Sequence, residues 1–322
     1  MKLLLVGNYG VQNLGDEALR ESVVRGFPEH SWTIVSARPA APNEVPRLPC
    51  GVRSFFRPWW RTVRAYIRAD AVVFGGGSLF TDHESIVAPY LWWVHAMMAR
   101  VLRKPLLLSF QGVGPLTTPL GLFFARSVIE HAGYVSVRDP ASFARILSWN
   151  MQTEPVLSFD PALTLFAEQV PAPTPGKLVL IPRSNTTDAF IQAATEEMQG
   201  TWEEISILLM HATEEDRQAA DRLKRVARHH AVTVQEPETV SEFLKAISSA
   251  SFVLSQRFHG ALAALAMGIP YRVLPQVPGD KLSMLADPGE REELLRLVEE
   301  GMRTLKESLD QIGGAASPVV QE

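Results

Sequence analysis

The feature that most constrains this 322-residue chain is a repeated alternation of two kinds of segment. Short apolar or β-branched runs with no polar alternation occur at 3–6, 33–35, 71–74, 106–110 and 134–137. Stretches with helical spacing separate them, at 15–26, 57–69, 84–102, 119–132 and 140–149. A second series follows, with runs at 177–181, 205–210, 232–235, 252–254 and 271–274 and helical stretches at 187–199, 214–229, 239–249, 258–267 and 290–311. A strand that is apolar on both faces must be covered on both, and an intervening helix supplies the crossover a parallel pair needs. The pattern predicts an α/β protein built on parallel sheets.

One hydrophobic core stops growing at roughly 250–300 residues, so a chain of this length is expected to form two domains. Val170-Pro171-Ala172-Pro173-Thr174-Pro175-Gly176 is the expected seam, because proline and its predecessor are held extended. The predicted division is a Rossmann-like domain over 1–170, a second over 177–289, a helix over 290–311 and a flexible tail over 312–322. Leu294, Leu295, Val298, Met302 and Leu305 form one stripe by which that helix docks. Two such domains are expected to face a cleft, with ligands beyond the carboxyl ends of the strands.

Several classes are excluded at once. The 31 basic and 35 acidic side chains leave a net charge of −4, too mild for a general nucleic-acid binder. Residues 1–165 carry 16 basic and 12 acidic side chains, and residues 166–322 carry 15 and 23. Cys50 is the single cysteine, so no internal disulfide forms and a reducing cytoplasm is expected. The apolar run before Gly7 is shorter than the roughly 7–15 residues of a signal core. No run approaches the roughly 18 residues of a membrane span. The histidines lack zinc-ligand spacing, and no G-x-S-x-G elbow is present, so no metal site is expected.

The unusual residues follow the strands. Gly7-Asn8-Tyr9-Gly10-Val11-Gln12-Asn13-Leu14-Gly15-Asp16-Glu17 lets backbone approach a ligand closely, but its spacing is not G-x-G-x-x-G. Asn13 and Asp16 suit either a helix-capping turn or sugar hydroxyls. Gly75, Gly76, Gly77 and Ser78 demand a tight turn whose N–H groups can hold an anion, with no lysine to make a P-loop. Arg138 in Ser136-Val137-Arg138-Asp139 is either a cleft cation or half of a surface ion pair. Arg183 ends a strand of the second series, and Lys281 follows another. Arg257 and His259, two apart at a strand-to-helix switch, combine a fixed anion fork with a group that moves protons near neutrality. Finally, residues 53–68 hold five arginines, five aromatics and no acid, a mixture that suits either an anionic headgroup layer or a core stripe with a basic edge.

In order, Gly10-Val11-Gln12-Asn13-Leu14-Gly15-Asp16-Glu17-Ala18, Gly75-Gly76-Gly77-Ser78-Leu79-Phe80, Gln111-Gly112-Val113-Gly114-Pro115, Ser136-Val137-Arg138-Asp139, Asp160-Pro161-Ala162 and Arg257-Phe258-His259-Gly260 resemble the polysaccharide pyruvyl transferase family, most closely its CsaB-type members. The surroundings of Arg183, and Pro278-Gly279-Asp280-Lys281, depart from the family's usual stretches. The resemblance implies a two-domain fold similar to GT-B glycosyltransferases. It also implies transfer from phosphoenolpyruvate to two hydroxyls of a sugar, forming a pyruvate ketal and releasing phosphate. In CsaB-type enzymes the acceptor is N-acetylmannosamine of a lipid-linked cell-wall polysaccharide precursor, and the product anchors S-layer proteins. On that reading Arg183, Arg257, Arg138 and Lys281 bind phosphoenolpyruvate and His259 donates the proton. Asn13, Asp16, Gly76, Gly77 and Ser78 orient the acceptor, no cofactor is needed, and 53–68 meets the inner membrane face. A nucleotide-sugar glycosyltransferase and a non-catalytic binder of lipid-linked glycan are the rival readings.

Overall fold

The computed structural model describes residues 1–51, 56, 58–83, 85–227, 231–276 and 281–316. The chain divides into two compact units, one of 1–11, 19–161 and Leu294 onward, the other of 12–18 and 162–293. The first contains β1 (Lys2–Tyr9), α1 (Leu14–Gly26), β2 (Ser31–Ser36), β3 (Glu44–Pro46), α2 (Trp60–Arg68), β4 (Ala71–Phe74) and β5 (Gly77–Phe80). It continues with α3 (Val87–Val101), β6 (Leu106–Val113), α4 (Pro119–Glu130), β7 (Tyr134–Val137), α5 (Pro140–Leu147) and β8 (Val156–Leu157). The first five residues of α1, with Gln12 and Asn13 before them, count with the second unit.

The first unit's strands run parallel in the order β3-β2-β1-β4-β6-β7-β8, with β5 against β6. Alternation along each strand divides its side chains between two cores. Leu4, Val6, Val72, Phe74 and Leu108 meet Tyr66 of α2, Trp92 and Ala96 of α3, and Ala125 and Val128 of α4 on one face. Leu3, Leu5, Val73 and Leu107 meet Val23 and Phe27 of α1 on the other, together with Leu305 and Leu309 of the C-terminal helix (Arg291–Ala316). That two-sided burial is why these strands lack polar alternation. The expected helix over 290–311 therefore completes the first unit's core, and it continues through 312–316, where a tail was expected. The rest of that tail, 317–322, lies outside the described residues.

The second unit holds α6 (Ala162–Ala167), β9 (Lys177–Ile181), α7 (Asp188–Met198), β10 (Glu204–Leu208), α8 (Glu214–Val226), β11 (Val232–Gln235), α9 (Val240–Ser248), β12 (Phe252–Ser255), α10 (Phe258–Met267) and β13 (Tyr271–Val273). Its strands are parallel in the order β11-β10-β9-β12-β13. Threonines at 187, 213 and 239 cap α7, α8 and α9 by accepting a backbone N–H three residues on.

The division falls at Pro161/Ala162, not at 170–176. Phe166 of α6 packs edge-on against Phe243 of α9 at 5.8 Å, which ties α6 to the second unit. The proline stretch is tied there as well. Ala172 and Thr174, which keep their N–H groups between prolines, donate to the carbonyls of Ser248 and Ser249 at 2.9 Å.

One buried group sets a pH dependence. The Leu48 N–H donates to His95 Nε2 at 3.2 Å, so the ring proton sits on Nδ1, 2.8 Å from the Tyr66 hydroxyl, which in turn donates to the His95 carbonyl. Burial first, and the Arg47 charge second, pull the His95 pKa from 6.5 to about 3. The unfolded chain takes up this proton near pH 6.5 and the folded one does not, so stability is full above that pH and falls as pH drops toward about 3. Between pH 7 and 5 the imidazole costs about 2 kcal/mol. Urea midpoints should fall accordingly over that interval, and His95→Gln, less stable at neutral pH, should show a shallower fall.

Candidate active site

In each sheet one central strand has neighbours reached in opposite directions: β1 lies between β2 and β4, and β9 between β10 and β12. At such a reversal the two crossovers leave to opposite sides, and the carboxyl ends of the strands stay uncovered. The glycine-rich loops follow β1 and β4, and the arginine loops follow β9 and β12.

In the second unit Ile181 pairs with Ser255, so the turns that begin at Pro182 and Gln256 emerge side by side. Arg257 caps α10 in an extended conformation, with its N–H on Ser255 Oγ at 3.0 Å. Its guanidinium donates through Nη2 to Asp216 Oδ1 at 2.6 Å and through Nε to the Pro182 carbonyl at 3.4 Å. Arg183 is therefore the residue next to one that holds Arg257. Gln256 fastens the same turn, since its Nε2 donates to Thr187 Oγ1 at 3.0 Å. Its Oε1 also accepts from the Thr186 hydroxyl.

His259 sits in the first turn of α10, 9% exposed, edge-on to Phe258 at 5.4 Å. Lys281 begins a short 3-10 helix (Lys281–Leu285) and holds its Nζ 5.7 Å from the Phe258 ring centre. Residues 278–280 of that loop lie outside the described residues. The Leu14 N–H donates to the Met210 carbonyl at 3.1 Å, which holds the start of α1 against the segment that follows β10. Gly15 then abuts the imidazole, and a Cβ there would collide with His259 Nδ1. Asn13 Oδ1 accepts the Gly15 N–H at 3.2 Å and its amide donates to Asp16 at 2.9 Å. The capping turn, one of the two readings of these residues, is formed. Expected with the first domain, they count instead with the second unit, beside His259.

The first unit holds the remaining expected residues. Gly76 and Gly77 join β4 to β5 with φ of 93° and 98°, a region closed to other residues. Arg138 does not offer a cleft cation as expected. It is 2% exposed, and its guanidinium meets the fully buried Asp160 at 2.5 Å and Ser78 Oγ at 2.9 Å. Its charge is answered inside the unit. Asp139 is likewise turned inward, capping α5 through the Ser142 N–H at 2.7 Å.

A family model described as polysaccharide pyruvyl transferase matches residues 13–275. The chain belongs to the polysaccharide pyruvyl transferase family. Among curated proteins none matches. Solved structures that it resembles include Anabaena Alr3699/HepE in complex with UDP and glucose, 10% identical over 97% of this chain and 100% of that one, with a TM-score of 0.63. UDP-GlcNAc 2-epimerase from Methanocaldococcus jannaschii is 12% identical over 93% and 92%, at 0.57. The Neisseria meningitidis enzyme bound to UDP-GlcNAc is 13% identical over 97% and 100%, at 0.56. At these identities the likeness is one of fold, a GT-B-like pair of parallel-sheet domains.

Within this pyruvyl transferase the structure thus gathers Arg183, Arg257, His259, Lys281, Asn13 and Asp16 in one unit, and Gly76, Gly77, Ser78 and Arg138 in the other. Asp216 and Asp160 were assigned no role from sequence. Asp160 stood in a family-like motif; Asp216 carried no local signal. Among the described residues no group of three or more His, Cys, Asp or Glu is arranged to hold a metal ion, and no helix is long and apolar enough to cross a membrane.

Removing one partner of a buried pair strands the other charge, at a cost of about 3–5 kcal/mol. Asp160→Ala should lose about that much in urea unfolding, and Arg138→Met/Asp160→Leu should recover most of it.

Proposed function

We propose that this protein transfers a pyruvyl group from phosphoenolpyruvate to two hydroxyls of a sugar, closing a ketal and releasing phosphate. The observation that supports it best is Arg257 held by Asp216 in the same turn as His259, with Lys281 against the Phe258 ring and Arg183 next in sequence to the Pro182 that Arg257 meets. Phosphoenolpyruvate carries a carboxylate and a phosphate, and fixed guanidinium groups match both. His259 protonates C3, which becomes a methyl group and leaves C2 electrophilic. One sugar hydroxyl adds to C2, and its proton returns to the imidazole. The C2–O bond to phosphate breaks, the second hydroxyl adds to C2, and its proton leaves with the phosphate. These steps ask for cations and a proton donor; they require neither a metal nor a redox cofactor.

The acceptor in this proposal is N-acetylmannosamine of a lipid-linked cell-wall polysaccharide precursor, as the CsaB-type motifs suggest, and the product serves S-layer anchoring. Asn13 and Asp16, which flank the Gly15 that abuts His259, orient it. The enzyme works in the cytoplasm, in contact with the inner membrane face through 53–68, of which 53–55 and 57 lie outside the described residues.

The second reading is a glycosyltransferase using a nucleotide sugar. It is favoured by neighbours solved with UDP-GlcNAc or with UDP and glucose, and the same cations suit a diphosphate. The family match outweighs it. The products separate the two: phosphate from phosphoenolpyruvate in one case, a nucleotide in the other.

His259→Ala should lower phosphate release in the presence of acceptor by about 10²–10⁴-fold, the usual worth of a general acid. Phosphoenolpyruvate binding by calorimetry should persist. Near-normal phosphate release from the variant would remove His259 from the mechanism.

A further inference from the structure

The helices α2, α3 and α4 all cover one face of the first sheet, and their inward side chains are accounted for by the core. Their outward side chains are not those of a solvated layer. Trp60, Ile67, Val87, Val101, Leu120 and Phe123 are each more than half exposed, Val101 at 77% and Leu120 at 60%. Tyr90, Trp93, Phe123 and Phe124 join α3 to α4 in a ladder of rings 5.4–6.5 Å apart. The apolar surface is therefore continuous across the two helices, a property that marks a contact face.

Its charges are mostly basic. Arg61, Arg64, Arg68, Arg100 and Arg126 are exposed on the three helices against a single acid, Glu130, in a chain whose net charge is −4. Alongside α2 lies a groove of about 460 Å³ whose lining includes Lys2, Asn43, Trp60, Arg61, Arg64 and Arg68 and no acidic residue. The Arg64 guanidinium stands 5.1 Å from the Trp60 ring centre.

We infer that the outer face of α2, α3 and α4 docks on an anionic membrane surface, with Leu120 and Phe123 entering the acyl boundary and lipid phosphates seated among the α2 arginines. Aromatic and apolar side chains rimmed by arginine suit the headgroup layer, where each cation adds to the attraction. A second copy of the chain fits less well, because a two-fold contact would set this cationic face against itself. The inference widens the contact proposed for 53–68 to three helices; it supplies a reason for the lipid-linked acceptor and does not rest on the chemistry at His259.

The test is sedimentation of the full chain with vesicles of phosphatidylcholine alone and with phosphatidylglycerol added, without donor or acceptor, so that its result stands apart from the transfer assay. Binding should require the anionic lipid and weaken with salt. Arg61→Ser/Arg64→Ser/Arg68→Ser should bind on the order of 100-fold more weakly, and Leu120→Ser/Phe123→Ser at least about tenfold more weakly. All the substituted side chains are exposed, and circular dichroism melts establish that each variant is folded; should one unfold, the other carries the test. Equal binding of the variants and the parent, no binding to anionic vesicles, or a dimer that Leu120→Ser/Phe123→Ser dissociates would each overturn the proposal. Direct binding of inorganic phosphate that the arginine substitutions abolish, with no binding to anionic vesicles, would assign the groove to a free anion and overturn it too.

Discussion

The reversal of the chain between β9 and β12 is the constraint on which the site depends. Parallel neighbours with crossovers on opposite sides leave backbone ends that no helix covers, and the residues just beyond Ile181 and Ser255 must face whatever fills that space. Asp216 then decides where Arg257 points, because a carboxylate 2.6 Å from Nη2 and a carbonyl at Nε restrict the fork to one orientation. A cation fixed before its ligand arrives spends no binding energy on reorganisation. Gly15 completes the arrangement by bringing bare backbone against His259, a position any side chain would contest.

Two arginines that follow strands in similar ways end in different roles, and burial separates them. Arg138 and Asp160 are both withdrawn from solvent, so their pair is satisfied within the core and offers no charge to a substrate. Such a pair is weak evidence for stability by itself, since desolvation offsets much of the attraction. Its effect is geometric: it joins the turn after β7 to Ser78 and to the segment after β8. The Arg257 side chain keeps 14% of its surface exposed against a buried Asp216, so it is less withdrawn from solvent than Arg138 at 2%.

The long elements were legible because each carries its signal locally. Strands covered on both faces read as unbroken apolar runs, and helices begin at Thr118, Asp139, Thr187, Thr213 and Thr239, all of them caps. The missed elements β3, β5, β8 and α6 span two to six residues, too few for a period to show. The seam was misplaced because proline's restriction on φ was read as a break, although Ala172 and Thr174 retain the donors that tie the stretch to the second unit. Asp216 was invisible for a different reason. Its meaning comes from Arg257, 41 residues away, and nothing in the surrounding Glu214-Glu215-Asp216 distinguishes it from acids that favour a helix start. The side to which 12–18 belongs is also non-local, set by one hydrogen bond to Met210 and by contact with His259.

The uneven charge of the two halves acquires a physical sense from these placements. Residues 166–322 carry eight more acids than bases, yet Arg183, Arg257 and Lys281 belong to that half. A dianion approaching it meets a repulsive far field and an attractive near one. Salt at physiological strength screens charges beyond about 8 Å and leaves contacts with fixed guanidinium groups largely intact. In the proposed reaction, capture of phosphoenolpyruvate there would depend on short-range geometry rather than on steering, which makes the orientation set by Asp216 worth more than the count of nearby cations. In the first half the arginines Arg61, Arg64, Arg68, Arg100 and Arg126 are instead spread over the outer surface of α2, α3 and α4, and the membrane contact proposed above would draw on the long-range attraction that such a distribution gives.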